Sequence, residues 1–358
     1  MKTDDLLKDP VFQLNLLLWM AKEQPSECYR VRPLFYQSGF EIVYIEQPFA
    51  FTVQTLTAIQ KSELSISLAP EPEMILGRPR DKKAIYLEAK ANSFSPDSTT
   101  AKQARGHLLA CGPDFGEVLA PLESCRLCYV LPEDKREMMS DCLKTLADQL
   151  KQNSLKPGIF CIHGLSVRDG ELIYSWDEEF QAYTGFEGTQ TSILPAMKED
   201  VNPSPLILLF SDEDHHDPVM QDYYRNVVIQ QVRACLLCEL RAHQIAAIYS
   251  RTADQILAKT SGGFFQYYGR ERQKSLMRLV KQNVFRRIDK DWSEKQSGIM
   301  LSEDELQICW GTSGEKEEFL SWLEDRRVRF NTNKSQAEPI ESEQLDLLKP
   351  AKGEPKEV

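Results

Sequence analysis

Glu73, Glu88 and Lys90 are the residues whose types and spacing could do chemistry. Glu88 and Lys90 stand two apart, so in a strand they share one face with Tyr86. Ile85, Leu87 and Ala89 then point the other way and can be buried. A short strand over 72–76 and a second over 84–91, joined by the polar Gly- and Pro-containing turn 77–83, form a hairpin that sets Glu73 beside Glu88 at the edge of a sheet. Two neighbouring carboxylates repel unless a cation lies between them. Oxygen ligands of this kind suit Mg²⁺, with Mn²⁺ as a substitute, completed by water and phosphate oxygens. A lysine two residues on brings a positive charge to the place where an attacking water is oriented and where charge develops on a phosphorane.

Other elements must hold that hairpin in place. A helix is expected over 11–22, built on Phe12, Leu14, Leu16, Leu17, Leu18 and Met20. The stretches 39–51 and 63–68 are rich in β-branched and aromatic residues, as strands are. After the Ser/Thr-rich loop 95–100 a helix starts near Thr100 and carries Lys102, Gln103 and His107. A strand follows over 126–131. Next comes an amphipathic helix over 133–152, with Met138, Leu143, Leu146 and Leu150 on one side. Strands over 158–163 and 171–176 then pair across the turn 167–170.

The chain has 358 residues, 42% of them hydrophobic and 27% charged, which is the make-up of a folded protein of two domains with extensions. No apolar run approaches the ~20 residues of a membrane span. The acidic start lacks the pattern of a secretory leader, so a cytoplasmic protein without membrane contact is expected. The formal charge of −11 argues against a protein that simply coats nucleic acid. From 221 to 290, however, 13 Lys/Arg face 5 Asp/Glu, giving 13 − 5 = +8, so the remainder carries −11 − 8 = −19. Arg270, Arg272, Lys274, Arg278, Arg286 and Arg287 are the candidate nucleic-acid-binding residues of that segment. Pairing with the acidic parts of the chain is the competing reading of the same charges.

Several weaker signals read as ordinary structure. The 9 cysteines include two CxxC pairs. Cys125–Cys128 falls in a buried strand pattern and Cys235–Cys238 in a helical one, so both are taken as small buried apolar residues and not zinc ligands. Asp212, Asp214, His215, His216 and Asp217 read as a solvated acidic turn after a short strand at 206–210. No phosphate loop of the Walker type occurs, so any ATPase would be a partner subunit.

The segments Pro72-Glu-Met-Ile-Leu76 and Ile85-Tyr-Leu-Glu-Ala-Lys90 resemble the PD-(D/E)XK signature of restriction-endonuclease-like nucleases, with a suitable gap of 88 − 73 − 1 = 14 residues. The resemblance implies an α/β fold. Its N-terminal restriction-endonuclease-like mixed sheet, flanked by helices, would fill residues 1–200. A mostly α-helical basic domain over 201–330 and a flexible tail over 331–358 complete the expectation. It further implies Glu73 and Glu88 as Mg²⁺ ligands, Lys90 as the residue that positions water, and Gln103 as a supporting residue. A further acid could come from Glu63 or Glu23, and Glu71 is a second candidate for the first ligand. The chain departs from the pattern in having Glu, not Asp, at position 73, which moves the carboxylate by about one methylene. The implied activity is metal-dependent hydrolysis of phosphodiester bonds in DNA, with RNA left open. The implied setting is an effector subunit of a prokaryotic anti-phage complex. A catalytically silent scaffold and a nucleic-acid-binding subunit are the alternatives.

Overall fold

The computed structural model describes residues 7, 8, 10–23, 31–194, 218–296, 298–302, 305–325, 328 and 330. The chain divides into one unit of Met1–Leu206 with Pro339–Val358 and a second of Ile207–Glu338. The expected boundary at 202–205, the strand at 206–210, the acidic turn from Asp212 to Asp217 and the tail 331–358 lie outside the described residues.

The first unit is built on a seven-stranded mixed sheet whose spatial order is its chain order. The strands are β1 Glu41–Ile45, β2 Met74–Arg78, β3 Lys83–Ala89, β4 Ser124–Pro132, β5 Ile159–Arg168, β6 Glu171–Ser175 and β7 Gln190–Leu194. β1, β2 and β3 form an antiparallel meander, β3, β4 and β5 run parallel, and β5, β6 and β7 are again antiparallel. Each parallel join needs a crossover connection. The helices Thr99–Ala110 and Arg136–Gln152 supply them. Both bury their apolar sides in one core, where Ala104, Leu108, Leu143, Leu146 and Leu150 meet Ile75, Tyr86, Leu127, Tyr129 and Ile162 from the sheet. Ile75 lies opposite Tyr86 and Tyr86 opposite Leu127, while Tyr129, two residues beyond Leu127, lies opposite Ile162, so all five share one face.

Three local expectations are corrected. The hairpin is not at the sheet edge, because β1 pairs along the outer side of β2. Residues 63–68 form no strand; a helix, Val53–Lys61, forms just before them instead. Asp114 fixes its start by accepting from Thr52 N–H and Thr52 Oγ1, both at 3.0 Å. The helix Arg136–Gln152 buries Leu143, Leu146 and Leu150 as expected, but its first turn packs Met139 inward and leaves Met138 62% exposed. The second unit is mostly helical, as expected, and also holds a three-stranded antiparallel sheet, ordered β8 Tyr249–Thr252, β10 Glu305–Ile308, β9 Ile299–Leu301. Strands of three or four residues are too short to display an alternating pattern.

The helices of the second unit are Pro218–Ala242, Ala253–Thr260, Arg270–Val280, Arg286–Trp292 and Ser313–Glu324. Cys125 and Cys128 are buried in β4, as expected. Cys235 is half-buried and Cys238 exposed on the helix Pro218–Ala242, so the second pair departs from the buried reading. No helix among the described residues is long and apolar enough to cross a membrane.

Candidate metal centre

The register of the hairpin sets the site. Met74 lies opposite Leu87, and one further antiparallel step places Glu73 opposite Glu88. Glu73 is tied there on both sides. Its Oε2 accepts the backbone N–H of Ala89 at 2.9 Å, and its carbonyl accepts the N–H of Glu46 at 3.2 Å. Glu46 follows β1 with φ 47°, a left-handed conformation that side chains other than glycine, Asn and Asp seldom adopt. The site therefore lies at the carboxyl end of β3, beside the parallel strand β4, where Glu88 stands opposite Tyr129.

Glu88 is 2% exposed. Its Oε1 accepts from Lys90 Nζ at 2.5 Å. Its Oε2 makes no hydrogen bond and lies 4.0 Å from Nδ1 of His107. Lys90 is held through its backbone: its N–H donates to Val130 O at 2.8 Å, and its carbonyl accepts from Gln13 Nε2 at 3.2 Å. Gln13 is fully buried on the helix Pro10–Met20 and also donates to Leu7 O at 2.5 Å. His107 is fully buried between Tyr86 and Tyr129, with its Nδ1 3.2 Å from the Tyr129 hydroxyl. Gly106 brings that helix in: a Cβ at Gly106 would stand 2.9 Å from Ser67 O and 3.1 Å from Pro70 Cβ.

The charges respond to this crowding. Burial, then the Glu88 and Glu46 charges, push the Glu73 carboxyl well above the usual carboxylate range, against the opposing pull of Lys90 and the Ala89 N–H. For Lys90 burial pulls downward, but the Glu88 and Glu73 charges together with the hydrogen bond to Glu88 outweigh it and the ammonium is held above its ordinary value. Burial lowers His107 despite the nearby Glu88 charge, so the ring is neutral at pH 7.

Of the residues singled out in the sequence, Glu73, Glu88 and Lys90 come together. Gln103 does not join them: it is exposed, and its side chain makes no hydrogen bond among the described residues. His107, on the same helix, faces Glu88 instead. Glu23 and Glu63 are exposed, as is Glu71, whose backbone bonds to His107. The further acid close enough to act on Glu73 is Glu46. Sequence reasoning missed Glu46, His107 and Gln13. Only Gln13 carried a signal, as one of two amides, with Asn15, inside an apolar helix.

Among the described residues no group of three or more His, Cys, Asp or Glu is gathered to hold a metal. The donor set is the pair Glu73 and Glu88, the number of carboxylates Mg²⁺ takes when water and phosphate complete its shell. The pair fits such an ion. Glu88 Oε2 is a buried carboxylate oxygen without a donor, a costly arrangement that a cation would relieve.

The candidate basic residues lie in the second unit. Arg270, Lys274, Arg278 and Arg286 are exposed. The half-buried Arg272 lies 5.5 Å over the Tyr268 ring, and Arg287 pairs with Asp291 at 2.9 Å. A surface concavity lined by Lys144, Lys151, Ile159 and Glu179 includes none of the residues of the carboxylate pair. No family model, no curated protein and no solved structure matches this chain.

Proposed function

We propose that the chain is a Mg²⁺-dependent phosphodiester hydrolase of the PD-(D/E)XK type acting on DNA, with its centre at Glu73, Glu88 and Lys90. One observation carries the reading: the buried, hydrogen-bond-free Oε2 of Glu88 lies in a site it shares with a second carboxylate and a lysine. The element order supports it. The antiparallel meander β1–β2–β3, the crossover helix Thr99–Ala110 and the parallel strand β4 keep the order of strand, turn, strand, helix and strand on which the resemblance rests.

A bound divalent ion would neutralise charge on the phosphate and make water a better nucleophile. Glu73 and Glu88 would hold the ion as carboxylates. Lys90, fixed by its backbone bonds and by Glu88, would orient the attacking water and oppose the negative charge that grows on the phosphorane oxygens. His107, neutral and wedged between two tyrosines, would keep Glu88 from turning away. A cytoplasmic anti-phage setting, with protein partners that include an ATPase, is proposed on the resemblance alone.

The test is cleavage of supercoiled plasmid by purified protein with Mg²⁺ or Mn²⁺. Wild type should nick or linearise the plasmid, and Glu88→Gln and Lys90→Met should lose at least a hundredfold in rate while keeping the wild-type circular dichroism spectrum. Wild type that leaves plasmid intact with both ions, or variants that cut as well as wild type, would overturn the proposal.

A further inference from the structure

The helices Arg270–Val280 and Arg286–Trp292 are continuous through a single π turn, Lys281–Phe285, whose flanking residues keep right-handed helical backbone. One side of this rod is buried through Leu276, Leu279, Val280, Val284, Phe285 and Ile288. The opposite side is exposed at every fourth residue: Arg270, Lys274, Arg278, Gln282, Arg286 and Lys290. In an uninterrupted α-helix each four-residue step turns by about 40°, so five steps would wind the row roughly 200° around the rod. The π turn fits an extra residue into its turn and takes back part of that winding. Five of the six residues are cationic, and at 1.5 Å per residue the row extends about 30 Å.

These cations are available. The side chains of Arg270, Arg286 and Lys290 make no hydrogen bond or ion pair among the described residues. Lys274 pairs only with the exposed Glu271, at 2.7 Å, and Arg278 adds to the field that lowers Glu271. Such an exposed pair contributes little and exchanges readily. Asp291 is neutralised by Arg287.

We infer that this row is a docking surface for the sugar–phosphate backbone of a nucleic-acid duplex, read without regard to sequence. A row of five exposed cations, engaged at most by one surface carboxylate, in a chain of net charge −11 fits a polyanion with spaced charges. No aromatic side chain stands among the six exposed positions, so the surface offers charge and no base stacking. The inference deepens the reading of the chain as one that acts on DNA, and it stands or falls separately.

The experiment is fluorescence anisotropy of the full chain with a fluorescein-labelled 30-base-pair duplex in EDTA, across a salt series. The variant R270Q/R278Q/R286Q/K290Q should bind at least tenfold more weakly than wild type. Its slope of log K against log salt should be shallower by about 3 to 4, close to 0.9 per lost phosphate contact. The control R272Q/R287Q should retain wild-type affinity, and thermal melts check that both variants are folded. Wild type that does not bind the duplex, an unchanged slope in the fourfold variant, or an equal loss in the control would overturn the inference. Binding of poly-glutamate without binding of duplex would overturn it in favour of an acidic protein partner. A chain that binds in EDTA but never cuts keeps this inference and loses the hydrolase. A chain that cuts while the fourfold variant binds normally does the reverse.

Discussion

The carboxylate of Glu73 accepts the backbone N–H of Ala89 at 2.9 Å, and Ala89 sits between Glu88 and Lys90. One hydrogen bond thereby locks the first carboxylate to the strand that carries the second carboxylate and the lysine. The two acids are held together against their mutual repulsion, so in the absence of metal the site is a local cost to stability.

Metal binding should therefore be visible as stability. Mn²⁺ at a hundredfold excess over its Kd should add about 2.7 kcal/mol to the wild-type protein and raise its Tm. Glu73→Gln and Glu88→Gln should lose most of that rise, and Glu73→Gln should melt no lower than wild type when no metal is present. Calorimetric scans with and without Mn²⁺ decide this. An equal Mn²⁺ shift in all three proteins would place the ion elsewhere.

Arg78 at the end of β2 is 4% exposed and binds both oxygens of Asp81, at 2.9 and 2.7 Å, as well as the carbonyls of Thr184 and Tyr183, at 2.6 and 3.2 Å. It lies 4.4 Å over the Phe40 ring. Arg78→Ala strips the buried Thr184 carbonyl of the guanidinium, leaves the Tyr183 carbonyl to Lys83 Nζ at 2.9 Å, frees Asp81 from its two-pronged bond, and should cost about 3 kcal/mol in urea unfolding. Arg78→Lys should recover less than half, because an ammonium cannot make the two-pronged bond to Asp81. A loss below 1 kcal/mol would show that water replaces the guanidinium.

His163 is fully buried against Phe180 and the Tyr174 hydroxyl, and burial, with the Arg136 charge, lowers its pKa to about 3. The unfolded chain binds this proton near pH 6.5 and the folded chain near 3, so between those values the unfolded state holds more protons. Stability contributed by the neutral ring is complete above pH 6.5 and is lost as pH falls, at about 1.4 kcal/mol per pH unit. In His163→Gln this loss is absent, so the difference in unfolding free energy between wild type and variant should shift by about 1.4 kcal/mol from pH 5.5 to 4.5, against the wild type. A constant difference would show that His163 protonates in place.

Gln13 joins the N-terminal helix to the Lys90 carbonyl. Gln13→Leu keeps the apolar packing and removes that tie, at a cost of about 1 to 2 kcal/mol. Plasmid cleavage should fall more than Mn²⁺ affinity, since the ion's ligands are on other elements. Equal loss of both would make Gln13 a general support of the fold.

How much of this was legible in the sequence follows from the reach of each signal. The face shared by Glu88 and Lys90 is a property of strand period, and the pairing of Glu73 with Glu88 follows from a short hairpin, so local pattern was enough. The phase of a helix against a sheet is a tertiary property. Gly106 lets the helix Thr99–Ala110 close on Ser67 and Pro70, which turns His107 inward and leaves Gln103 in water. The same effect buried Met139 in place of Met138. Glu46 was illegible because its left-handed turn after β1 has no residue signature when the residue is Glu. The edge position of the hairpin failed because β1 is separated from β2 by a helix, Val53–Lys61, that pattern alone did not show.

The most direct test of the central claim is anomalous diffraction from crystals of the protein soaked in Mn²⁺. A single peak within about 2.3 Å of both a Glu73 and a Glu88 oxygen, lost in Glu88→Gln crystals, is the predicted result. Crystals with full Mn²⁺ exposure and no peak between these two carboxylates would contradict it.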